Sequence, residues 1–122
     1  GAESFDLVAA VNLLDSLRLP LILLGQADAL LRPGGRLILS SPYEWREEIC
    51  DPGQWLEAAD MDSPAVIRGI LEGRLMPETG IHYRVAEEHM DVPWVLRNHR
   101  HSWALFMDHV LLATKRDAGG EV

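Results

Sequence analysis

Two short apolar runs near the beginning of the chain show little alternation between hydrophobic and polar positions. Residues 5–11 read Phe-Asp-Leu-Val-Ala-Ala-Val, and residues 36–41 read Arg-Leu-Ile-Leu-Ser-Ser. Strands that are apolar on both faces typically lie inside a parallel sheet that helices cover. The pattern therefore predicts two buried strands, over 5–11 and 36–41, in such a sheet.

The segment between these strands has the periodicity of a helix. Its apolar residues recur on one face at helical spacing: Leu23, Leu24, Ala27, Leu30 and Leu31. Pro20 suits the first helical turn, where its missing N–H is not needed, and Pro33 ends the helix. Gly34 and Gly35 supply the positive φ angles of a tight turn into the second strand. We therefore expect one β-α-β unit.

The middle of the chain, residues 42–62, is predicted to be mostly loop. A second helix is expected from Ser63, an N-cap residue, with Pro64 at the first helical position and Gly73 as its C-terminal stop. The apolar stripe of this helix consists of Val66, Ile67, Ile70 and Leu71.

Strand patterning returns at about 81–88 and again at about 102–115. Pro93, between them, excludes a central position in a ladder, and Asp108-His109 breaks the alternation in a way that indicates a bulge. The connection is short, so we expect an antiparallel hairpin. The predicted fold is α/β, a partial Rossmann-like mixed sheet of about four strands, the last two a hairpin, with two or three helices.

Composition narrows the classes of function. The formal charge of −8 argues against a nucleic-acid binder, and no apolar run is long enough to cross a bilayer. A single cysteine, Cys50, cannot form an internal disulfide, which favours a cytoplasmic setting. The chain begins Gly-Ala and enters a strand almost at once, so we expect residues 1–122 to be a single partial domain.

Ligands of open α/β sheets bind beyond the carboxyl ends of the strands. Here those ends are followed by Asn12 to Asp15 and by Ser41 to Trp45. Asn12 could hold a polar group of a ligand, and Asp15 could orient a cation or an amine; alternatively, both cap the turn that follows them. The chain contains no Gly-x-Gly-x-x-Gly motif, so nothing supports a dinucleotide site directly.

Three blocks resemble a known family. The first comprises Asn-Leu-Leu-Asp-Ser-Leu (12–17), Arg-Pro-Gly-Gly (32–35) and Ser-Pro-Tyr-x-Trp (41–45); the others are Asp-Pro-Gly-Gln-Trp-Leu (51–56) and Asp-Val-Pro-Trp-Val-Leu-Arg (91–97). Together they resemble a class I S-adenosylmethionine (SAM) dependent methyltransferase from its fourth strand onward. The similarity is greatest to the domain of ovothiol-pathway enzymes that N-methylates the imidazole of a mercaptohistidine. Glu57, where we expect glycine, and Asn98, where we expect an acid, depart from that pattern.

The resemblance implies SAM as cofactor, with Asn12 and Leu13 among the residues that bind it. It also implies that the half of the domain with the glycine-rich SAM loop is absent, so we expect this chain to bind SAM weakly or not at all. Tyr43 and Asp15 are the candidate catalytic residues. Tyr43 could orient the acceptor or contact the sulfonium by a cation–π interaction, or it could simply be a half-buried loop aromatic.

Four further residues are candidates for binding a small-molecule acceptor. Trp45 and Trp55 could wall its pocket, although tryptophans on a loop over a sheet more often cover the core. Arg97 and Arg100 could clamp the carboxylate of an amino acid, or could pair with surface acids instead.

The remaining predictions concern metals, partners and alternative functions. His99-x-His101 lacks the spacing of an established metal motif, so no metal is predicted. The apolar strand over 5–11 would have one bare edge, which favours a homodimer through that edge. The leading hypothesis is a methyltransferase fragment acting on a histidine-derived small molecule. A non-catalytic α/β dimerisation or interaction module is the second hypothesis, and half of a Rossmann domain from an oxidoreductase is the third.

Overall fold

The computed structural model of the chain describes residues 3–117. Its strands are β1 (Phe5–Val11), β2 (Leu31–Ser41), β3 (Tyr83–His99) and β4 (Ser102–Lys115), and its helices are α1 (Pro20–Leu30) and α2 (Ser63–Leu71). Single 3₁₀ turns lie at Leu14–Ser16, Pro52–Gln54 and Pro77–Thr79. The predicted α/β class with four strands is confirmed. Neither α1 nor α2 is long and apolar enough to cross a membrane.

The four strands form one mixed sheet in the order β1-β2-β4-β3. β1 and β2 are parallel and are joined by α1, as the β-α-β pattern predicts. β4 runs antiparallel to both of its neighbours, and β3 and β4 form the expected hairpin. The chain therefore inserts its last strand between β2 and β3.

Both helices contribute to one core on one face of the sheet. Sheet residues of a single parity are buried there: Ala10, Leu37, Leu39, Leu111 and Ala113. They share a cluster with Leu24 and Ala27 of α1 and with Ile67 and Ile70 of α2. Each fully buried aliphatic side chain of this kind stabilises the fold by roughly 1.5–3 kcal/mol.

The opposite face of the sheet differs from the sequence expectation. Leu7 and Val11 are exposed, and Ile38 and Leu112 are only partly buried, because no helix within residues 3–117 packs on that side. A strand with apolar residues on both faces is expected to be buried on both faces. The pattern does not indicate which part of a protein covers each face.

The cap of α2 and the turn glycines each differ in one detail from the prediction. Asp62, rather than Ser63, caps α2, since its carboxylate accepts the N–H of Ala65 at 3.2 Å. Gly34, within β2, has the predicted positive φ, at 82°. Gly35 does not have a positive φ, and it is required because its neighbours leave no room for a Cβ. A Cβ on Gly35 would lie 2.8 Å from the carbonyl oxygen of Arg32.

β3 is longer than predicted and contains the bulge. Pro93 lies within it, opposite Met107, which an edge strand tolerates because its outer N–H groups are not needed for pairing. The register passes from His89 opposite Val110 to Val92 opposite Asp108, so the extra residue lies on β3 and not at Asp108-His109. Beyond this bulge, residues 92–107 form a two-stranded extension, here called the arm.

We predict that Gly35→Ala lowers the free energy of unfolding by about 1–3 kcal/mol, because two of the three close neighbours of the added Cβ are backbone oxygens that cannot rotate away. Gly25→Ala is the matched control. Gly25 lies inside α1 with nothing within 4 Å of its Cβ position, so alanine should stabilise there by about 0.5–1 kcal/mol. Urea unfolding of both variants checks the pair; equal midpoints would contradict the close-packing account.

Candidate functional site

The carboxyl ends of β1 and β2 lie side by side, and both are followed by a residue with left-handed backbone. Asn12 has a φ of 54° and Tyr43 a φ of 53°. Asparagine adopts this conformation more readily than most residues, but a bulky tyrosine does so rarely. Such backbone costs about 1–3 kcal/mol and persists only where the surrounding structure fixes it.

Hydrogen bonds fix the segment that follows β2, residues 41–46. The N–H of Tyr43 donates to Ser41 Oγ at 3.0 Å, and the N–H of Trp45 donates to the carbonyl of Tyr43 at 2.9 Å. The N–H of Glu44 donates to Asp15 Oδ2 at 2.7 Å. Asp15 therefore ties the end of β1 to this segment, and its side chain does not cap the 3₁₀ turn in which it lies.

A chain of hydrogen-bonded polar groups lies behind the 41–46 segment. The Tyr43 hydroxyl is 2.7 Å from His109 Nδ1, and His109 Nε2 is 2.7 Å from Glu88 Oε2. The guanidinium of Arg68 donates to the other oxygen of Glu88. His109 is buried, whereas the side chains of Glu88 and Arg68 are partly exposed. We call these four residues the polar chain. It joins the segment after β2 to β4, β3 and α2.

The electrostatics of the polar chain determine the protonation of Glu88 and Tyr43. Burial opposes ionisation of Glu88, but hydrogen bonds from His109 and Arg68 outweigh it and lower the pKa of the carboxyl. Burial, followed by the charges of nearby acids, raises the pKa of Tyr43. Glu88 is therefore an ionised acceptor and Tyr43 retains its O–H.

Two buried acceptor oxygens at this edge find no donor among the described residues. They are Oδ1 of Asn12 and Oδ1 of Asp108. Asp108 is only 3% exposed, and burial first, then the charge of Asp15, raises the pKa of its carboxyl. Buried polar groups are nearly always paired. These two unpaired oxygens therefore show that this edge has more buried hydrogen-bond acceptors than donors to satisfy them.

A cavity of about 140 Å³, which we call the ring cavity, opens at the same edge. Asn12, Asp15 and Pro42 line one side, and Trp94, Leu96 and Phe106 from the arm line the other. The rings of Trp94 and Phe106 have centroids 5.0 Å apart. An apolar cavity of about 150 Å³ accommodates benzene, so this volume suits one small aromatic ring.

The structure brings only some of the predicted site residues to the ring cavity. Asn12 and Asp15 line it, and Tyr43 lies directly behind its wall. Leu13 is exposed beside Asn12 and faces a separate shallow hollow that Leu17 also lines.

The predicted tryptophans are fixed elsewhere. The indole N–H of Trp45 donates to Ser63 Oγ at 2.9 Å, and its ring stacks near Tyr43 against the core. The indole N–H of Trp55 donates to the carbonyl of Cys50 at 2.9 Å. Neither ring lines the ring cavity.

The predicted arginines lie at the tip of the arm. The guanidinium of Arg97 donates to the carbonyls of His99 and Arg100 at 3.2 and 3.1 Å and lies 5.0 Å from the centroid of the Trp103 ring. Arg100 is exposed. Neither arginine lines the ring cavity, so a carboxylate clamp there would require the arm to change shape.

Several functional candidates escaped the sequence reasoning. Trp94 and Phe106 line the ring cavity. Their position there follows from the pairing of β3 with β4 in the arm and not from the sequence pattern. Asp108 and His109 are two adjacent polar residues within an apolar stretch of β4. This break in the hydrophobic pattern is the sequence feature that could have identified them. His99 and His101 lie at the arm tip, and no three His, Cys, Asp or Glu side chains within residues 3–117 form a group that could hold a metal.

Neither a scan against protein-family models nor a search of curated proteins found a match to this chain.

We predict that Asp108→Asn stabilises the protein at pH 7 by about 1–3 kcal/mol, because the amide occupies the same buried position without a charge. The raised pKa means that folding disfavours the ionised carboxylate, so the wild type is destabilised by it at neutral pH. The gain should shrink as the pH falls through the raised pKa of Asp108 and should be small at pH 3.5, just below the ordinary carboxyl pKa of about 3.9. Urea unfolding at pH 7 and 3.5 checks this, with the exposed Asp60→Asn as control.

Proposed function

We propose that the chain provides the acceptor side of a SAM-dependent methyltransferase that N-methylates a histidine-derived small molecule. The observation that supports this most is the ring cavity, whose volume suits an imidazole and which lies at the carboxyl edge of β1 and β2. Its aromatic wall, Trp94 and Phe106, can hold a flat ring, and Asp15 can accept a hydrogen bond from a ring N–H.

Methyl transfer to a ring nitrogen is an in-line displacement, so alignment is the main contribution of the protein. The nitrogen lone pair forms the new C–N bond while the S–C bond breaks, and sulfur keeps that electron pair as a neutral thioether. A ring that carries a proton must lose it, and Asp15 is placed to receive it. Asp15 and Glu44 supply two negative charges to the lining of the ring cavity and Arg46 supplies one positive charge, so the acids there outnumber the cation by one.

The cofactor fits this edge only in part. The unpaired Oδ1 of Asn12 can accept a hydrogen bond from a hydroxyl or amine of SAM, and Leu13 offers an exposed apolar contact. The ring cavity is too small for the whole of SAM, since pockets for molecules of that size measure about 300–1,000 Å³. In this proposal the methionine and ribose rest on parts of the protein outside these residues.

The full-length protein should transfer the labelled methyl group of SAM to an imidazole nitrogen of a mercaptohistidine. Asp15→Asn should lower kcat/KM by about 10²–10⁴, the range for losing a general base. Asp6→Asn is the control, because Asp6 is an exposed acid on β1 that pairs with Arg32 away from the cavity. Absence of transfer to any imidazole acceptor would overturn the proposal. The 122-residue chain alone should show no turnover, and low-micromolar SAM binding to it in calorimetry would contradict the partial cofactor site.

We infer a second candidate function, homodimerisation, from the edge strand β1. β1 lies at the end of the sheet, and Phe5, Leu7 and Val11 are 51%, 52% and 60% exposed. The occupant we propose is a second copy, because two identical edges can pair antiparallel about a two-fold axis and continue one sheet across both protomers.

Leu7→Lys should convert the dimer to a monomer, since it places a charge in the centre of the proposed contact. Leu7 is preferable to Asp6, whose replacement would also break the ion pair with Arg32. Ile22→Lys, an equally exposed apolar residue on α1, should leave the dimer intact. Light scattering at several concentrations measures both; a wild type that remains monomeric at high concentration would exclude the dimer.

A further inference from the structure

The 41–46 segment supplies part of the wall of the ring cavity, and its strained backbone needs an anchor. We propose that His109 is a positioning residue that holds this segment in place through the hydroxyl of Tyr43. The inference rests on the proposed function, because it concerns the same cavity.

In its neutral form, the imidazole of His109 can make both of its hydrogen bonds in one tautomer only. The ionised carboxylate of Glu88 can only accept, so His109 Nε2 carries the proton that it donates across 2.7 Å. His109 Nδ1 then presents a lone pair to the O–H of Tyr43, also at 2.7 Å. Both contacts are satisfied when the imidazole is neutral and protonated on Nε2.

Two other elements hold the imidazole in addition to its own strand. His109 lies on β4 and is 3% exposed, Glu88 comes from β3, and Arg68 comes from α2. Arg68 also donates to Glu72 at 3.3 Å, one helical turn away. The ring can therefore neither rotate nor move without breaking a charge-assisted hydrogen bond, which makes it a rigid reference point for Tyr43.

The strain at Tyr43 explains why the segment needs this anchor. A φ of 53° is strained for a tyrosine, and the hydroxyl bond to His109 adds to the bonds of the Tyr43 N–H and carbonyl that hold it, so its loss should favour relaxation of the backbone. Relaxation at Tyr43 would move its neighbours: Pro42, which lines the ring cavity, and Glu44, whose N–H holds Asp15 at 2.7 Å. The position of Asp15 in the cavity thus depends on a hydrogen bond on the far side of the wall.

The charges around Tyr43 protect this bond. Burial, and then the carboxylates of Glu88, Asp108, Asp15 and Asp62, all raise the pKa of the phenol. The hydroxyl therefore remains a donor throughout the neutral and mildly alkaline range. These acids come from β3, β4, the turn after β1 and the cap of α2, so the effect does not depend on one element.

Tyr43→Phe tests the inference, because it removes the hydroxyl and keeps the ring. Imidazole is the probe, and its binding to the 122-residue chain is followed by the NMR shift of the Trp94 indole N–H. We expect the Kd to rise about tenfold, the effect of losing one buried hydrogen bond of about 1.4 kcal/mol. His109→Gln should weaken binding to a similar degree, and the double variant should be little worse than either single one.

Tyr83→Phe is the matched control. It also deletes a buried tyrosine hydroxyl, which donates to Asp28 at 2.8 Å at the other end of the hairpin, and so it reports a general loss of stability. Imidazole binding should be unchanged in it. If Tyr43→Phe and Tyr83→Phe have the same effect on binding, His109 is not a positioning residue.

A second measurement does not depend on binding. In protein with ¹⁵N-labelled histidine, the signals absent from His109→Gln identify the ring, and they should show a protonated Nε2 and an unprotonated Nδ1. The opposite tautomer would overturn the inference. A wild type that does not bind imidazole would instead overturn the function proposed for the cavity, a result distinct from binding that is insensitive to Tyr43.

Discussion

The pairing of Ser41 with His109 determines where the sheet ends and where the site begins. It is the last pair between β2 and β4, and beyond it β2 turns away while β3 and β4 continue as the arm. Because the side chains of paired residues lie on the same face, the imidazole projects toward the chain that follows Ser41. A shift of one residue in this register would point His109 to the opposite face and leave Tyr43 without its partner.

Local pattern predicted the elements well because it depends on neighbouring residues. The bounds of β1, the start of α1 at Pro20 and the β3–β4 hairpin are all confirmed. The position of β4 between β2 and β3 could not be predicted, since any of the apolar strands could satisfy the same periodicity. The bare edge expected for the strand over 5–11 is present, since β1 lies at the end of the sheet and Phe5, Leu7 and Val11 are exposed.

The candidate site was predictable only where it follows directly from strand ends. Asn12 and Asp15 were found because ligands bind beyond carboxyl ends in open α/β sheets. Trp45 does not line the cavity, and its indole N–H donates to Ser63 instead. Trp94 lies at the cavity because it belongs to the arm, which begins after the bulge around Asp91. Residue spacing does not specify where the arm lies relative to the end of β1.

The features that cost stability are concentrated at one edge of the molecule. The other non-glycine residues with positive φ, Glu3, Met76 and Asp91, lie in exposed turns or at the bulge, where left-handed backbone serves the local geometry. Asn12 and Tyr43 are different: Asn12 lines the ring cavity and carries an unpaired buried oxygen, and Tyr43 lies directly behind the cavity wall. A sequence under selection for stability alone would replace such groups readily. The unpaired acceptor of Asn12 at the carboxyl edge of an α/β sheet is expected if binding or chemistry there requires an acceptor that none of the described residues satisfies.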